Sequence, residues 1–421
     1  MIKRSFFALS QPRLTYDLLN PDLDAPETIP VPASLTLLLA EQIDSTKSAL
    51  FKTGDAVKRG EQLKLYDDSS AYVLSPVAGT ISGFDSYSDD FGNTATYILI
   101  KPDPARGDDA VELTPEKNLE FADAHLRHLP GAPPFAVMAD ENTTIKTIVI
   151  TGADTDILSD TCQYVCTAYA DEVVEGAGIL KQMTQISKIF ITLPEDLDTQ
   201  ASFGAIQTLK TSSTYPAALP AMVMKDHLGT LPLPGRTPED MGVCFMRAEA
   251  LVSLARVFKA GQPVFEKVLT LIDKSGTQHR LSATIGTPLS KIFTRVNEHI
   301  NDQDRIIIGG PMRGFATYTP HHPVVPDMDM VIVQDRETIP ELSNTPCVNC
   351  GECIRICPAN IPVNLLVRYL EADQYEEAAD KFDLESCIEC GLCAFVCKAR
   401  IPLYQYIRLG KHELMTLRAD A

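Results

Sequence analysis

The spacing of apolar positions changes along this chain and divides it into stretches of different character. Over residues 28–103, short apolar runs at 34–39, 62–66, 71–74, 79–81 and 96–100 are separated by Gly and Asp turns, which predicts an all-β unit. Over 104–235 the pattern lengthens and alternates. A helical piece at 116–129 precedes a continuous apolar run at 144–150 that ends in a Thr151-Gly152 turn. A helix at 159–182, a second buried strand at 186–194 and a second helix at 200–210 follow. Alternating strand and helix predicts a small α/β, Rossmann-like layer. Its ligand would sit beyond the carboxyl ends of the strands, near residues 152–156. Over 236–335, a hairpin opening from Phe265 to Gly276, a helix start at Gly286-Thr287-Pro288-Leu289 and a strand at 306–308 feeding a glycine turn suggest a β-grasp, SLBB-like unit. In the last stretch, 336–421, Val363, Leu365, Leu366, Leu370 and then Tyr375, Ala378, Ala379 and Phe382 recur at three and four, which predicts two short helices. Residues 1–27 are a Pro- and Asp-rich arm without clear period, expected to lie extended on the body or on a partner. The fold class expected is α+β, multidomain.

Composition narrows the function. A net charge of −19 argues against nucleic acid as a partner, because phosphate binding needs a basic face. No run of about eighteen apolar residues appears, so no transmembrane span is expected. The start, Lys3-Arg4 and then Phe6-Phe7-Ala8-Leu9, is too short for a signal peptide. The chain is thus expected to be cytoplasmic in character, and if it works at a membrane it docks on other subunits.

The chemistry concentrates near the end. Cys347, Cys350, Cys353 and Cys357 form a C-x2-C-x2-C-x3-C run closed by Pro358, and Cys387, Cys390, Cys393 and Cys397 repeat it. This is the bacterial ferredoxin spacing. Three thiolates at short intervals wrap three corners of a 4Fe–4S cube, and the fourth ligates the other cluster in two-cluster ferredoxins. Cluster one is therefore assigned to Cys347, Cys350, Cys353 and Cys397, and cluster two to Cys387, Cys390, Cys393 and Cys357. Gly351 and Gly391 follow the second cysteine of each run, where the loop must turn sharply. A zinc-holding scaffold is the rival reading, but zinc has no use for a third cysteine at x2 and a fourth at x3, twice. Two helices between the motifs resemble the α-helical dicluster ferredoxin module of respiratory enzymes.

The stretches 54–60 (Gly54-Asp55-Ala56-Val57-Lys58-Arg59-Gly60) and 75–81 carry the turn pattern of the barrel-sandwich hybrid, without a modifiable lysine at a hairpin tip. With Gly309-Gly310-Pro311-Met312-Arg313-Gly314, Gly286-Thr287-Pro288 and Pro238-Glu239-Asp240-Met241-Gly242-Val243, the order of parts resembles the C subunit of the Rnf electron transport complex. That resemblance implies a peripheral subunit taking electrons from NADH through noncovalent FMN and passing them through two clusters to membrane partners, with ion transport coupled. Three departures stand against the flavin part. The family's G-G-A-G-F-P-T is Pro130-Gly131-Ala132-Pro133-Pro134-Phe135-Ala136 here, and each proline removes an N–H donor. Its N-G-A-E-C-E-P is Thr151-Gly152-Ala153-Asp154-Thr155-Asp156-Ile157, with shorter acids. Its K-Y-P-x-G-x-E is Thr214-Tyr215-Pro216-Ala217-Ala218-Leu219-Pro220. Gly131, Gly152, Asp154 and Asp156 are what remains of a cofactor site, and the expectation is a degenerate pocket, with FMN in doubt. The leading expectation is thus an electron-transfer subunit whose donor or acceptor is a protein, such as a ferredoxin, a cytochrome or an iron–sulfur subunit. The alternative is an FMN-containing, NADH-oxidising subunit.

Cys162 and Cys166, one helical turn apart, and Cys244 read as core. His321-His322 reads as a Pro-flanked loop. The tail from Lys398, with Arg400, Arg408, Lys411, His412 and Arg418, reads either as a solvated helix face or as a basic docking end.

Overall fold

The structure is a computed structural model and describes residues 13–20, 25–107, 109–340, 342–343 and 345–419. Residues 1–12 and 21–24, which carry most of the expected arm and its basic start, lie outside the described residues.

The α/β layer is a four-stranded, all-parallel sheet in the order Gln207–Thr211, Lys188–Pro194, Thr147–Thr151, Val243–Arg247. Ile148, Val149 and Ile150 are fully buried because helices cover both faces. The strand order reverses between Thr147–Thr151 and Val243–Arg247, so a crevice opens at their carboxyl ends. The helix expected at 200–210 is a strand, Gln207–Thr211, after irregular chain. Gly204 takes a left-handed φ of 58° that stops a helix, and Leu209 and Thr211 are buried on the sheet. The helix expected at 159–182 is two, Thr161–Ala168 and Ala170–Thr184, broken at Tyr169. The helical piece at 116–129 shortens to Leu119–His125. A division at 235/236 does not follow the sheets. Val243–Arg247 pairs with Thr147–Thr151, and the helix Ala248–Ala260 that follows packs in the same core, so this layer continues to 260.

A six-stranded sheet follows, in the order Glu27–Thr28, Gln278–Thr284, Glu266–Ile272, Met330–Gln334, Arg305–Ile308, Phe315–Thr317. The hairpin Glu266–Ile272/Gln278–Thr284 is antiparallel, and Met330–Gln334 runs parallel to its first strand. The helix Leu289–Arg295 buries Leu289, Ile292 and Phe293 against this sheet. The β unit at the start pairs Leu35–Leu39, Thr94–Pro102, Gly79–Ser88 and Ala56–Val57, with a separate short hairpin of Gln62–Leu63 and Val73–Leu74. The C-terminal module is helical. Val363–Leu370 and Tyr375–Phe382 lie between the cysteine motifs, and Leu403–Ala419 closes the chain.

Candidate iron–sulfur centres and the neighbouring cleft

The two cysteine motifs are conformational copies. Left-handed φ recurs at Asn349 and Glu389, at Gly351 and Gly391, and at Asn360 and Arg400, the same offset each time. In each copy the glycine starts a one-turn helix, Glu352–Ile356 or Leu392–Phe395, that carries the third cysteine inward. The copies cross. Cys347, Cys350, Cys353 and Cys397 line one cavity, and Cys387, Cys390, Cys393 and Cys357 line another. Burial pushes the Cys353 thiol up to about 11, with Cys347, Cys350 and Cys397 adding to the effect. Burial likewise raises Cys390 to about 12, with help from Cys387 and Cys357. The thiols that perturb one another are therefore cavity-mates. A metal group must displace these protons on binding. Four soft sulfur donors around an apolar cavity fit an iron–sulfur cluster. Among the described residues, no group of three or more Cys, His, Asp or Glu is disposed to hold a single metal ion.

The two cavities differ in setting. The first opens at the surface beside Val348, which is 60% exposed. The second faces the body of the protein. The Tyr215 hydroxyl donates to the Cys390 carbonyl at 2.6 Å, and Lys411 Nζ donates to the Cys387 carbonyl at 2.7 Å and to Glu389 at 2.8 Å. Gly391 sits so close to the Met312 carbonyl that a Cβ there would lie 2.4 Å from its oxygen. Only glycine allows this approach at φ 72°. An apolar seam of Tyr16, Tyr215, Leu219, Met312, Cys390 and Leu392 completes the joint.

On the other side of the Met312 turn lies a cleft of about 610 Å³, at the carboxyl ends of Thr147–Thr151 and Val243–Arg247. Asp154 and Asp156 line it, but both spend their oxygens on the chain itself. Asp154 is buried and accepts from Ser159 Oγ (2.8 Å), from the amides of Cys162 (3.0 Å) and Gln163 (3.3 Å), and from Gln163 Nε2 (3.1 Å), capping the helix Thr161–Ala168. Asp156 accepts from the amides of Met312 (3.3 Å) and Arg313 (2.9 Å). It lies so near Gly310 that a Cβ there would meet its carboxyl carbon at 2.1 Å. Burial raises both carboxyls to about 6 despite these donors. Gly131 and Gly152 do not line the cleft. Gly131 is pressed on the backbone of Ala250, and Gly152 on Thr192 and Cys166. The amides of Cys162, Gln163, Met312 and Arg313, suited to an anion, already serve these two carboxylates, whereas the buried Arg313 Nε that lines the cleft has no hydrogen-bond partner among the described residues.

Residues that the sequence motifs do not flag also shape the cleft. Arg247, at the end of the strand Val243–Arg247, binds Asp329 at 2.6 Å, and fully buried Lys267 joins Asp329 (2.8 Å) to Glu249 (2.5 Å). Burial opposes ionisation of Asp329, yet Arg247 and Lys267 hold it at about 2. Tyr215, kept together with Pro216 in a motif otherwise lost, was not singled out by the sequence. His322 is buried and bonded to the Tyr97 hydroxyl at 3.1 Å, and burial lowers it to about 4, so it is a neutral core residue at physiological pH. His321 is exposed. Cys162, Cys166 and Cys244 are buried. Most of the tail's cations are tied down: Arg408 to Asp90, Lys411 to Glu389 and Arg418 to Glu385, with His412 stacked on Phe91. Asp420 lies outside the described residues.

The family described as a 4Fe-4S dicluster domain matches residues 346–401. In Rhodobacter capsulatus, the C subunit of the ion-translocating oxidoreductase complex is 25% identical over 379 residues, covering 84% of this chain and 73% of that protein. The chain is similar to these C subunits over most of its length. The C subunit of Vibrio cholerae is 26% identical over 84% of this chain and 49% of its own, and that of Serratia proteamaculans 25% identical over 83% and 53%. The chain thus spans about half the length of these two C subunits. Crystal structures of an NAD+-reducing nickel–iron hydrogenase align at a TM-score of 0.39 with 11% identity, covering 74% of this chain and 72% of that one, which is too distant to carry an argument. Among the described residues no helix is long and apolar enough to cross a membrane.

Proposed function

We propose that this chain is an electron-transfer subunit of a membrane-associated, Rnf-like oxidoreductase complex, relaying electrons through two 4Fe–4S clusters to partner subunits. The observation that carries the proposal is the crossing of the motifs into two four-cysteine cavities. Cys347, Cys350, Cys353 and Cys397 would hold one cluster, and Cys387, Cys390, Cys393 and Cys357 the other. Each bound cluster would supply one-electron uptake and release. The chain's own part is to fix the ligands on rigid turns, to wall the second cavity with Val363, Tyr404 and Ile407, and to hydrogen-bond the cysteine backbone through Tyr215 and Lys411. We read the earlier parts as a barrel-sandwich hybrid, a Rossmann-like layer and a β-grasp unit. The parallel pairing of Met330–Gln334 with Glu266–Ile272 supports the last of these. The subunit would work on the cytoplasmic face, exchanging electrons with a protein donor or acceptor, without flavin of its own, because Asp154 and Asp156 occupy the amides a phosphate would need.

One observation favours a second reading, an FMN-containing, NADH-oxidising subunit: the cleft is roomy and stands at the switch point of the parallel sheet. Anaerobic purification with iron, sulfide and FMN counted, and spectra taken before and after NADH, separates the two. About eight irons per chain, no flavin and no bleaching by NADH is the expected result. Stoichiometric FMN with bleaching would replace the first reading by the second.

A further inference from the structure

We propose that the mouth of the first cysteine cavity is a docking surface for an acidic redox protein. The inference rests on the relay reading and adds where electrons cross to a partner and what that partner's surface is like.

The first cavity is the one at the surface. Cys347 and Cys350 are half-buried, and Val348 between them stands open to solvent. Exposed apolar side chains continue outward from it. Leu342 is 67% exposed, and Phe395, on the helical turn after Cys393, is 52% exposed. The Ser343 amide donates to the Arg400 carbonyl at 3.2 Å, which brings the Leu342 segment against the end of the second motif. Singly exposed apolar residues are ordinary, but a group around a redox-centre mouth marks a contact face.

Charge says what that face would take. Arg368 and Lys398 line the cavity mouth, against Glu371. Arg355 lies beside it, its guanidinium donating to the Cys350 carbonyl at 2.9 Å, and exposed Arg400 donates its amide to the Cys397 carbonyl at 3.2 Å. Among the described residues the other carboxylate there, Glu352, is largely covered and is shared by Arg355 (3.0 Å) and Lys398 (3.7 Å). The mouth is therefore cationic on a chain of net charge −19. The cations of the C-terminal helix, Arg408, Lys411 and Arg418, are by contrast spent on internal pairs. A positive rim around an apolar centre steers an oppositely charged partner and fixes its orientation. Anionic lipid is the other occupant such charge admits. A small apolar centre over a single redox site fits a protein partner better than a membrane surface, which would meet a broad basic face.

The test uses the full chain with both clusters in place. Dithionite-reduced protein is mixed in a stopped flow with an oxidised acidic bacterial-type ferredoxin, and the transfer rate is followed against salt. Binding to phosphatidylglycerol vesicles is measured in parallel. For the unaltered chain the rate should fall steeply as salt rises. The double variant Lys398→Glu/Arg400→Glu should be about tenfold slower at low salt and nearly indifferent to salt. Because Lys398 adjoins a cluster ligand, the neutral pair Lys398→Gln/Arg400→Gln is run alongside, and iron content and the cluster absorption are checked for each. If clusters are intact but rate and salt dependence are unchanged, the docking inference falls and the relay reading stands. If the variants lose only vesicle binding, the face is a membrane contact and the inference likewise falls. A chain that never assembles two clusters overturns the relay reading instead.

Discussion

The cysteine module and the cleft lie on either side of one glycine turn, Gly309 to Gly314, and they use side chains in opposite ways. In the module, eight thiols point into two cavities and leave the surrounding backbone to tyrosine and lysine donors. In the cleft, the acids turn back onto the chain. Asp154 caps a helix, Asp156 clamps the turn, and Asp329 is locked between Arg247 and Lys267. A binding site keeps unsatisfied donors or acceptors for its ligand, whereas a structural joint consumes them. By that measure the module is a site and these three acids serve a joint, while the buried Arg313 Nε that lines the cleft is left without a hydrogen-bond partner among the described residues.

The strongest challenge to the contrast is removal of ligands. Cys353→Ser or Cys393→Ser should drop iron from about eight to about four per chain, one cluster being lost each time. Cys357→Ser is the sharper variant. If the motifs cross, it removes the cluster held by Cys387, Cys390 and Cys393, and electron paramagnetic resonance would show it sharing the spectrum of Cys393→Ser. A spectrum like that of Cys353→Ser would mean uncrossed motifs.

Next in size is the buried ion network. Lys267→Met strands Glu249 and Asp329 without their shared cation, and denaturant unfolding should show a loss of about 3–5 kcal/mol. Iron content of the folded fraction should not change, since the joint does not hold the clusters.

Acidity distinguishes the cleft's carboxylates from one another. Asp154 and Asp156 bind a proton more tightly folded than unfolded, rising from 3.8 to about 6. Their contribution is complete below 3.8 and fades as pH rises through about 6, by roughly 3 kcal/mol for each at most. Asp329, held at about 2, acts in the other sense: its contribution is present above 3.8 and is lost as pH falls towards 2. Stability of the native chain relative to Asp154→Asn should therefore decline between pH 4 and 6, measured by urea midpoints. A flat difference would mean that Asp154 is not buried as described. Smallest is Tyr215→Phe, which deletes one hydrogen bond to the Cys390 carbonyl. A loss of about 1 kcal/mol is expected, with a change in the signal of the second cluster alone.

Local chemistry was the part of this molecule that could be read from letters. The cysteine spacing grouped the same thiols that line each cavity, because such local geometry is encoded within a few residues. The apolar runs at 144–150 and 186–194 announced buried parallel strands. Where neighbours in space were distant in sequence, the reading thinned. Gln207–Thr211 looked helical because its pairing with Lys188–Pro194 is tertiary, and Val243–Arg247 was assigned to the wrong layer because its partner lies near residue 150. The departures from the family's flavin motifs were legible, but the hydrogen bonds that Asp154 and Asp156 accept were not. Their donors come from Cys162, Met312 and Arg313, and no short motif spells out such a pairing. Part of the basic tail is neutralised from elsewhere in the chain, Arg408 by Asp90 and Arg418 by Glu385, which its own letters could not show.

Tyr16 has a bearing on how the molecule is made. Its hydroxyl accepts from the Ala218 amide at 3.2 Å, its ring meets Tyr215 at 5.4 Å, and it shares an apolar cluster with Met312, Cys390 and Leu392. Tyr16 thus finds these neighbours about 200 positions along the chain and further. Such contacts carry the largest loop-closure cost and form late. The seam between the body and the second cavity would therefore be among the last surfaces to close during folding, leaving those cysteines open to cluster delivery until then.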